Sequence, residues 1–334
     1  MLLDPELHYL DNAATTMVDP EIAGAIHEAL LKEWANPSSL YEPAVETHEA
    51  LTTARGQIAR TLGCQAKDLY FTSCGSESNN LAVQGLAMAR KNWGSKIVVS
   101  GFEHPSVQKP LERLAAMGYD VTVVDPGPDG TLDIDRMLEH VDKNTILVAC
   151  MMVNNEIGTR NDVERLAAEV KRRNSRTIVH VDAVQAWMRV PIKLANIDTL
   201  AVSGHKIHAP KGIGALYLSD RLVQAFQPPY LGGEQERQMR PGTENLPYAM
   251  GLAAAATRLA KTMKSRDAAV RALNLRLREG LKAFPEVVIN SPDNAVPEVL
   301  NFSENCIKSE TMLAHLAQQQ VCLLYTSDAA DEAR

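Results

Sequence analysis

A lysine and an aspartate, each at the end of an apolar segment, are the residues of this chain best suited to chemistry. Lys206 ends the segment SGHK (203–206), and Asp182 ends the strand-like run 177–182. Open α/β sheets place their ligands at the carboxyl ends of such strands. A lysine amine can form a Schiff base, and a carboxylate facing a pyridine nitrogen keeps that ring protonated. The pair suggests pyridoxal phosphate, although a lone lysine after a strand is more often a solvated surface residue.

The segment 71–80 offers a place for a phosphate group. Residues 69–71 form a strand-like run, and Ser76 with Glu77 opens a helical pattern. Backbone N–H groups at the start of a helix bind anions, Gly75 lets the chain approach a ligand closely, and the Ser76 hydroxyl adds a donor. Taken alone, this segment is also typical of an ordinary helix N-cap.

Polar side chains follow two further strand-like runs. His104 comes after the run 96–100, where an imidazole could stack on a pyridine ring, and Asn155 comes after the run 146–152, where an amide could bond a ring hydroxyl. Each of them alone is typical of a satisfied polar group in a loop. Together with Gln185 and the lysine and aspartate, they fall at the ends of several strands. We therefore expect one site to use them all.

Strand-like and helical patterns alternate along the chain. The predicted helices cover residues 20–34, 44–62, 78–93, 106–116, 162–173 and 246–283. The predicted strands lie near residues 69, 97, 121, 146, 178, 199 and 213. This alternation predicts an α/β fold with a mostly parallel, seven-stranded sheet covered by helices. We expect a large domain over 12–260 and a smaller α+β domain from residues 1–11 and 261–323.

Composition and charge narrow the class of protein. At 334 residues with 45% hydrophobic content, the chain can bury the core of one large domain and a smaller one. Its 34 basic and 41 acidic residues give a net charge of −7, which argues against a nucleic-acid partner. No apolar stretch approaches the ~20 residues that span a membrane, and no export signal is visible. We expect a cytoplasmic protein without a membrane partner.

Neither the cysteines nor the histidines indicate a metal site. His205 and His208 have a spacing that a metal could use, but a position for His205 beside the lysine is favoured. The cysteines show no Cys-x-x-Cys spacing, which favours reduced thiols and no zinc. There are five of them: Cys64, Cys74, Cys150, Cys306 and Cys322.

Nine segments, in the same order along the chain, resemble the cysteine desulfurases. These are class V members of the fold type I enzymes, which use pyridoxal phosphate. The resemblance extends from about residue 8 to about residue 323. The segments are YLDNAATT (9–16), NPSS (36–39), TSCGSESNN (72–80), EH (103–104), VNNEIG (153–158), HVDAVQ (180–185), SGHK (203–206), PKGIG (210–214) and RPGTEN (240–245).

This resemblance implies a role for each site residue. Lys206 would form the Schiff base and then remove the Cα proton of the substrate, while Asp182 would partner the pyridine nitrogen and His104 would stack on the ring. The other implied contacts are Asn155 and Gln185 near the ring hydroxyl, Gly75, Ser76, Ser203 and His205 at the phosphate, and Thr243 at the phosphate of a neighbouring subunit.

An activity and a set of partners are implied as well. The activity is the conversion of L-cysteine to L-alanine, with the sulfur passed as an enzyme persulfide to an acceptor for iron–sulfur assembly or thiolation. A thiolate is needed for that transfer because a thiol is a poor nucleophile. A homodimer with shared sites is implied too. Two alternatives stay open: selenocysteine lyase or another class V enzyme, and an inactive cofactor-binding fragment or dimerising interaction protein.

The last residues depart from the family pattern. After Leu323 the family continues with a loop that carries the nucleophilic cysteine, whereas this chain reads LYTSDAADEAR (324–334). Cys322 lies about six residues too early to be that nucleophile. We therefore expect residues 324–334 to be a non-native tail. The small domain would be incomplete, without the nucleophile loop and the arginine that binds the substrate carboxylate.

Overall fold

The computed structural model describes residues 4–324. Its helices are α1 (Pro20–Lys32), α2 (Glu42–Leu62), α3 (Gly75–Arg90), α4 (Pro105–Ala116), α5 (Ile134–Glu139), α6 (Val163–Arg173), α7 (Asp220–Val223), α8 (Leu246–Leu281) and α9 (Ser309–Gln318). Its strands are β1 (His8–Tyr9), β2 (Leu69–Thr72), β3 (Lys96–Ser100), β4 (Asp120–Val124), β5 (Thr145–Met151), β6 (Ile178–Asp182), β7 (Thr199–Ser203), β8 (Gly214–Leu218), β9 (Val287–Ile289), β10 (Phe302–Glu304) and β11 (Val321–Cys322).

Seven strands form the central sheet, in the order β2-β8-β7-β6-β5-β3-β4. Only β8 runs antiparallel to its neighbours β2 and β7. Strands β5, β6 and β7 are buried along their whole length, which is why their sequences read as continuous apolar runs instead of alternating ones. The predicted α/β fold with a mostly parallel seven-stranded sheet is confirmed.

The helices cover both faces of this sheet. Successive side chains of a strand point to opposite faces, so β3 and β5 each contribute to two cores. Val98 and Val148 lie in the core shared with α1, α2, α6 and α8, whereas Ile97 and Leu147 lie in the core shared with α3 and α4. With both faces covered, the carboxyl ends of the parallel strands remain as the edge where a ligand can reach side chains.

Helix α3 begins three residues before its predicted start at residue 78. Cys74 is its N-cap, with an extended backbone and no side-chain capping bond. Gly75, the first residue of the helix, packs directly against the loop after β6. A side chain would not fit there, because a Cβ at Gly75 would lie 2.4 Å from Val184 Cγ2. The early start brings the first backbone N–H groups of α3 to the carboxyl edge of the sheet.

The C-terminal part is built from shorter elements. Strands β9 and β10 pair antiparallel, with Phe302 opposite Ile289, and β11 pairs parallel to β1, with Val321 opposite His8. The division into domains 12–260 and 1–11 plus 261–323 stays a prediction. Apart from Leu324, the predicted non-native tail lies outside the described residues. Within residues 4–324, no helix is long and apolar enough to cross a membrane.

Candidate active site

A cavity of about 400 Å³ lies at the carboxyl ends of the central strands. Thr243 is exposed on the loop before α8 and is not among the residues that line this cavity. The structure brings the other nine residues singled out in the sequence to its wall: Gly75, Ser76, His104, Asn155, Asp182, Gln185, Ser203, His205 and Lys206.

Lys206 reaches the cavity from a 3₁₀ turn that follows β7. That turn needs a glycine, because a Cβ at Gly204 would lie 2.9 Å from Ile213 Cγ2 and 3.0 Å from the Ile213 carbonyl oxygen. The Lys206 amine donates hydrogen bonds to the carbonyl oxygens of Ala13 and Ala14, the latter at 2.7 Å. Burial lowers the pKa of Lys206 to about 8, and the nearby positive charge of Arg189 acts in the same direction.

Asp182 ends β6 at the floor of the cavity and is buried. Its Oδ1 accepts from the Val184 N–H at 2.9 Å, and its Oδ2 accepts from Asn79 Nδ2 at 2.7 Å. Burial raises the pKa of Asp182, while these two hydrogen bonds and the nearby Lys206 oppose that rise. A cation placed against this carboxylate would favour its charged form further.

Two histidines lie on the wall in their neutral form. His104 is the N-cap of α4, and its Nδ1 accepts from the Ser106 N–H at 3.1 Å. Burial lowers the pKa of His104, and burial together with the charge of Lys206 lowers the pKa of His205 to about 4. Both rings are therefore uncharged near pH 7, which suits stacking and hydrogen bonding more than ion pairing.

The start of α3 and the end of β7 form an anion cradle. Backbone N–H groups at the start of a helix are free of intrahelical partners and point outward. Ser203 lies beside Gly75, and within residues 4–324 its buried hydroxyl has no hydrogen-bond partner. A buried hydroxyl is costly unless something bonds it. The cradle therefore suits a ligand with several acceptor oxygens, such as a phosphate.

Sequence reasoning missed three residues that support the site. Arg189 donates to Oε1 of Gln185, whose own Nε2 donates to the Ala13 carbonyl oxygen at 2.8 Å. Asn79 and Ser106 line the cavity and connect Asp182 with His104. For Asn79 the motif gave no signal of this role, since the role depends on Ser106 and Asp182, which lie 27 and 103 positions along the chain.

A buried ion pair anchors the loop that carries Thr243. Glu236 accepts from Arg55 Nη1 and Nη2 at 2.6 and 2.7 Å and from the Phe71 N–H at 2.9 Å. Residues 236–238 all have positive φ, between 45° and 65°, in the left-handed region that is unfavourable for side chains other than glycine. Further along, Arg240 Nε donates to Glu77 Oε1 at 3.1 Å. The loop is thus tied to both β2 and the first turn of α3.

Comparisons with known proteins agree with this fold. The family model for aminotransferase class-V matches residues 8–327. A cysteine desulfurase of Trichormus azollae is 39% identical over 326 residues, which cover 94% of this chain and 78% of the relative. A cysteine desulfurase IscS of Dictyoglomus turgidum is 35% identical over 312 residues, covering 92% of this chain and 78% of the relative.

Solved structures of similar proteins share this fold. A NifS-like protein superposes with a TM-score of 0.92 at 30% identity, covering 95% of this chain and 87% of that one. The chain belongs to the class-V aminotransferase family, whose members use pyridoxal phosphate. Within that family its relatives identify it as a cysteine desulfurase, and neither alternative, selenocysteine lyase or an inactive binding protein, is favoured.

Proposed function

We propose that the cavity around Lys206 is where this cysteine desulfurase binds pyridoxal phosphate and acts on L-cysteine. The single observation that carries the proposal is a partly buried lysine amine in one cavity with a buried aspartate and a helix N-terminus. A structure titled "SspA in complex with cysteine" superposes with a TM-score of 0.83 at 30% identity and covers 98% of this chain. That likeness supports cysteine as the substrate.

The residues present fit the cofactor. The N–H groups at the start of α3, the Ser76 hydroxyl and the unpartnered Ser203 hydroxyl would hold the phosphate, with His205 beside them. Asp182 would hold a proton on the ring nitrogen, and the neutral His104 would lie against the ring face. When bound, pyridoxal phosphate supplies an electron-poor ring that takes up the charge left at the substrate Cα.

Asn155 and Gln185 would orient the ring from the side of its hydroxyl group. Both lie on the cavity wall. The neighbouring Asn154 shapes the turn that carries Asn155, because its Oδ1 accepts from the N–H groups of Glu156 and Ile157 at 2.9 Å each. Gln185 is held at both ends of its amide, by Arg189 and by the Ala13 carbonyl. A group held in this way loses little entropy when a ligand binds.

The lowered pKa of Lys206 supports its role as the base. An amine must be neutral to bind an aldehyde or to accept a proton. With a pKa of about 8, a substantial fraction of the Lys206 amine is neutral near pH 7.5, whereas an ordinary lysine at 10.5 is almost wholly protonated. Lys206 Nζ would bind the cofactor and, once released by the substrate, take the proton from the substrate Cα.

The partners proposed here are a second copy of the chain and a sulfur-acceptor protein in the cytoplasm. Thr243 is exposed on its anchored loop, which supports a contact with the phosphate site of a second subunit. An iron–sulfur scaffold or a thiolation protein would then receive the sulfur.

Cys322 lies in β11 and is not proposed as the nucleophile. The residues after Leu323 read LYTSDAADEAR and include no cysteine, so the nucleophile of the proposed reaction is not assigned to any residue of this sequence.

The test compares Lys206→Ala with Lys211→Ala, a matched change of an exposed lysine outside the cavity. We expect the unaltered chain and Lys211→Ala to gain the visible absorption band of an amine-bound cofactor, and Lys206→Ala to lack it. Borohydride reduction and peptide mapping should place the cofactor on Lys206. A cofactor mapped to another lysine would disprove the assignment.

A further inference from the structure

The amide of Asn79 lies at the centre of a buried hydrogen-bond network beneath the cavity. Asn79 is fully buried in the second turn of α3. Its Nδ2 donates to Asp182 Oδ2 at 2.7 Å and to Ser106 Oγ at 2.9 Å. Ser106 Oγ lies 2.7 Å from His104 Nδ1. One side chain therefore connects the two residues proposed to contact the nitrogen and the face of the cofactor ring.

The orientation of this amide follows from its neighbours. The Asp182 carboxylate can only accept hydrogen bonds, so the amide nitrogen of Asn79 must face it. The carbonyl oxygen then faces His180 Nε2 at 3.0 Å, which must be the donor. His180 is fully buried, and burial lowers its pKa to about 3, so it stays a neutral ring with its proton on Nε2.

Proton positions can be followed from Asn79 to His104. Because Asn79 donates to Ser106 Oγ, the hydroxyl proton of Ser106 is available for His104 Nδ1. The backbone N–H of Ser106 also points to that nitrogen, at 3.1 Å. Two donors at Nδ1 leave no room for a proton there and hold the ring in one orientation, with its own proton on Nε2.

We propose that Asn79 is a positioning residue that fixes the Asp182 carboxylate and, through Ser106, the His104 ring as one unit. This inference rests on the proposed site, because it assigns the two residues held by Asn79 to the same ligand. The amide stabilises the charge of Asp182 by hydrogen bonding and keeps His104 neutral by way of the Ser106 hydroxyl. Asn79 itself transfers no proton and acts only through its neighbours.

The test separates the two branches of the network with Ser106→Ala and Asn79→Ala. The pKa values of the His104 ring and the Asp182 carboxyl are followed by NMR, first without pyridoxal phosphate and then with it. Ser106→Ala should raise the pKa of His104 and leave that of Asp182 in place. Asn79→Ala should raise both. It should also weaken pyridoxal phosphate binding about tenfold, the usual effect of losing one hydrogen bond to a charged group.

Two further variants guard against a purely structural effect. Asn80→Ala removes the next amide of α3, which bonds Gln84 and the backbone carbonyls of Ser76 and Ser106, and should move neither pKa. Asn79→Asp keeps the shape but places a second carboxylate beside Asp182, so it should raise the pKa of Asp182 most. The proposal is wrong if Asn79→Ala and Asn79→Asp shift these values no more than Asn80→Ala. The titrations without cofactor distinguish these outcomes even if Lys206 proves not to bind it.

Discussion

Helices α3 and α9 of this chain differ sharply in burial. Helix α3, beside the cavity, buries nine of its sixteen residues, whereas α9 buries none of its ten within the described part of the chain. The second half of α8 resembles α9, with Leu273, Leu275 and Leu277 all exposed. Local stability follows buried contacts. The site is thus held by a well-buried helix, and the C-terminal elements should open before it.

The largest difference between the two regions, measured as loss of unfolding free energy, should appear when the buried ion pair between Glu236 and Arg55 is compared with an exposed pair in α8. Glu236→Ala leaves Arg55 and the Phe71 N–H without their partner and removes the anchor of a left-handed turn, at a cost of about 3–5 kcal/mol. Asp267→Ala breaks an exposed pair with Arg271 in α8 and should cost under about 0.5 kcal/mol. Urea unfolding of both variants measures these values. Equal losses would mean that burial does not distinguish the two regions.

Shortening an apolar side chain should destabilise the protein more in α3 than in α9. Leu81→Ala in α3 removes a side chain that is 1% exposed and should cost about 3 kcal/mol, since it leaves a cavity in a packed core. Leu316→Ala in α9 removes a half-buried side chain and should cost under about 1 kcal/mol. Thermal melts followed by circular dichroism would show this. A larger loss for Leu316→Ala would reverse the order of stability proposed for the two helices.

The smallest expected effect is a shift in pH dependence, which tests whether the charge of Arg189 lowers the pKa of Lys206. Arg189→Gln removes a positive charge that lowers the pKa of Lys206, so that pKa should rise above about 8. A higher pKa means less neutral amine at a given pH. The rate of covalent cofactor capture should therefore reach its midpoint at a higher pH.

Arg189→Lys is the control for that experiment because it keeps the charge. Its midpoint should stay close to that of the unaltered chain. Asp11 and Asp182 oppose Arg189 by raising the pKa of Lys206, and both remain in either variant. An unchanged midpoint in Arg189→Gln would show that the charge of Arg189 does not contribute to the lowered pKa of this lysine.

The sequence predicted the parts of the fold that depend on local patterns. Buried runs such as 146–152 and 177–182 marked strands, and long helices with periodic apolar residues were found within a few residues of their ends. The six-residue helix α5 and the three-residue strand β9 were not predicted. Elements this short complete too few turns or alternations to give a period.

The site was predicted as far as it follows strand ends and family motifs. Nine marked residues meet at one cavity because parallel strands end at one edge. The role of Asn79 was not predicted because its partners lie on other elements, such as Asp182, 103 positions along the chain. A buried amide and an exposed one look alike in a sequence.

The two carbonyl oxygens that accept hydrogen bonds from the Lys206 amine limit the order in which parts of the chain can fold. Ala13 and Ala14 lie 193 and 192 positions before the lysine, and β1, just ahead of them, pairs with β11 near residue 321. Contacts so distant along a chain form late, because the entropy of closing such a loop must be overcome first. The central sheet can therefore fold on a growing chain well before the lysine is seated. Capture of the cofactor should be among the last events of folding.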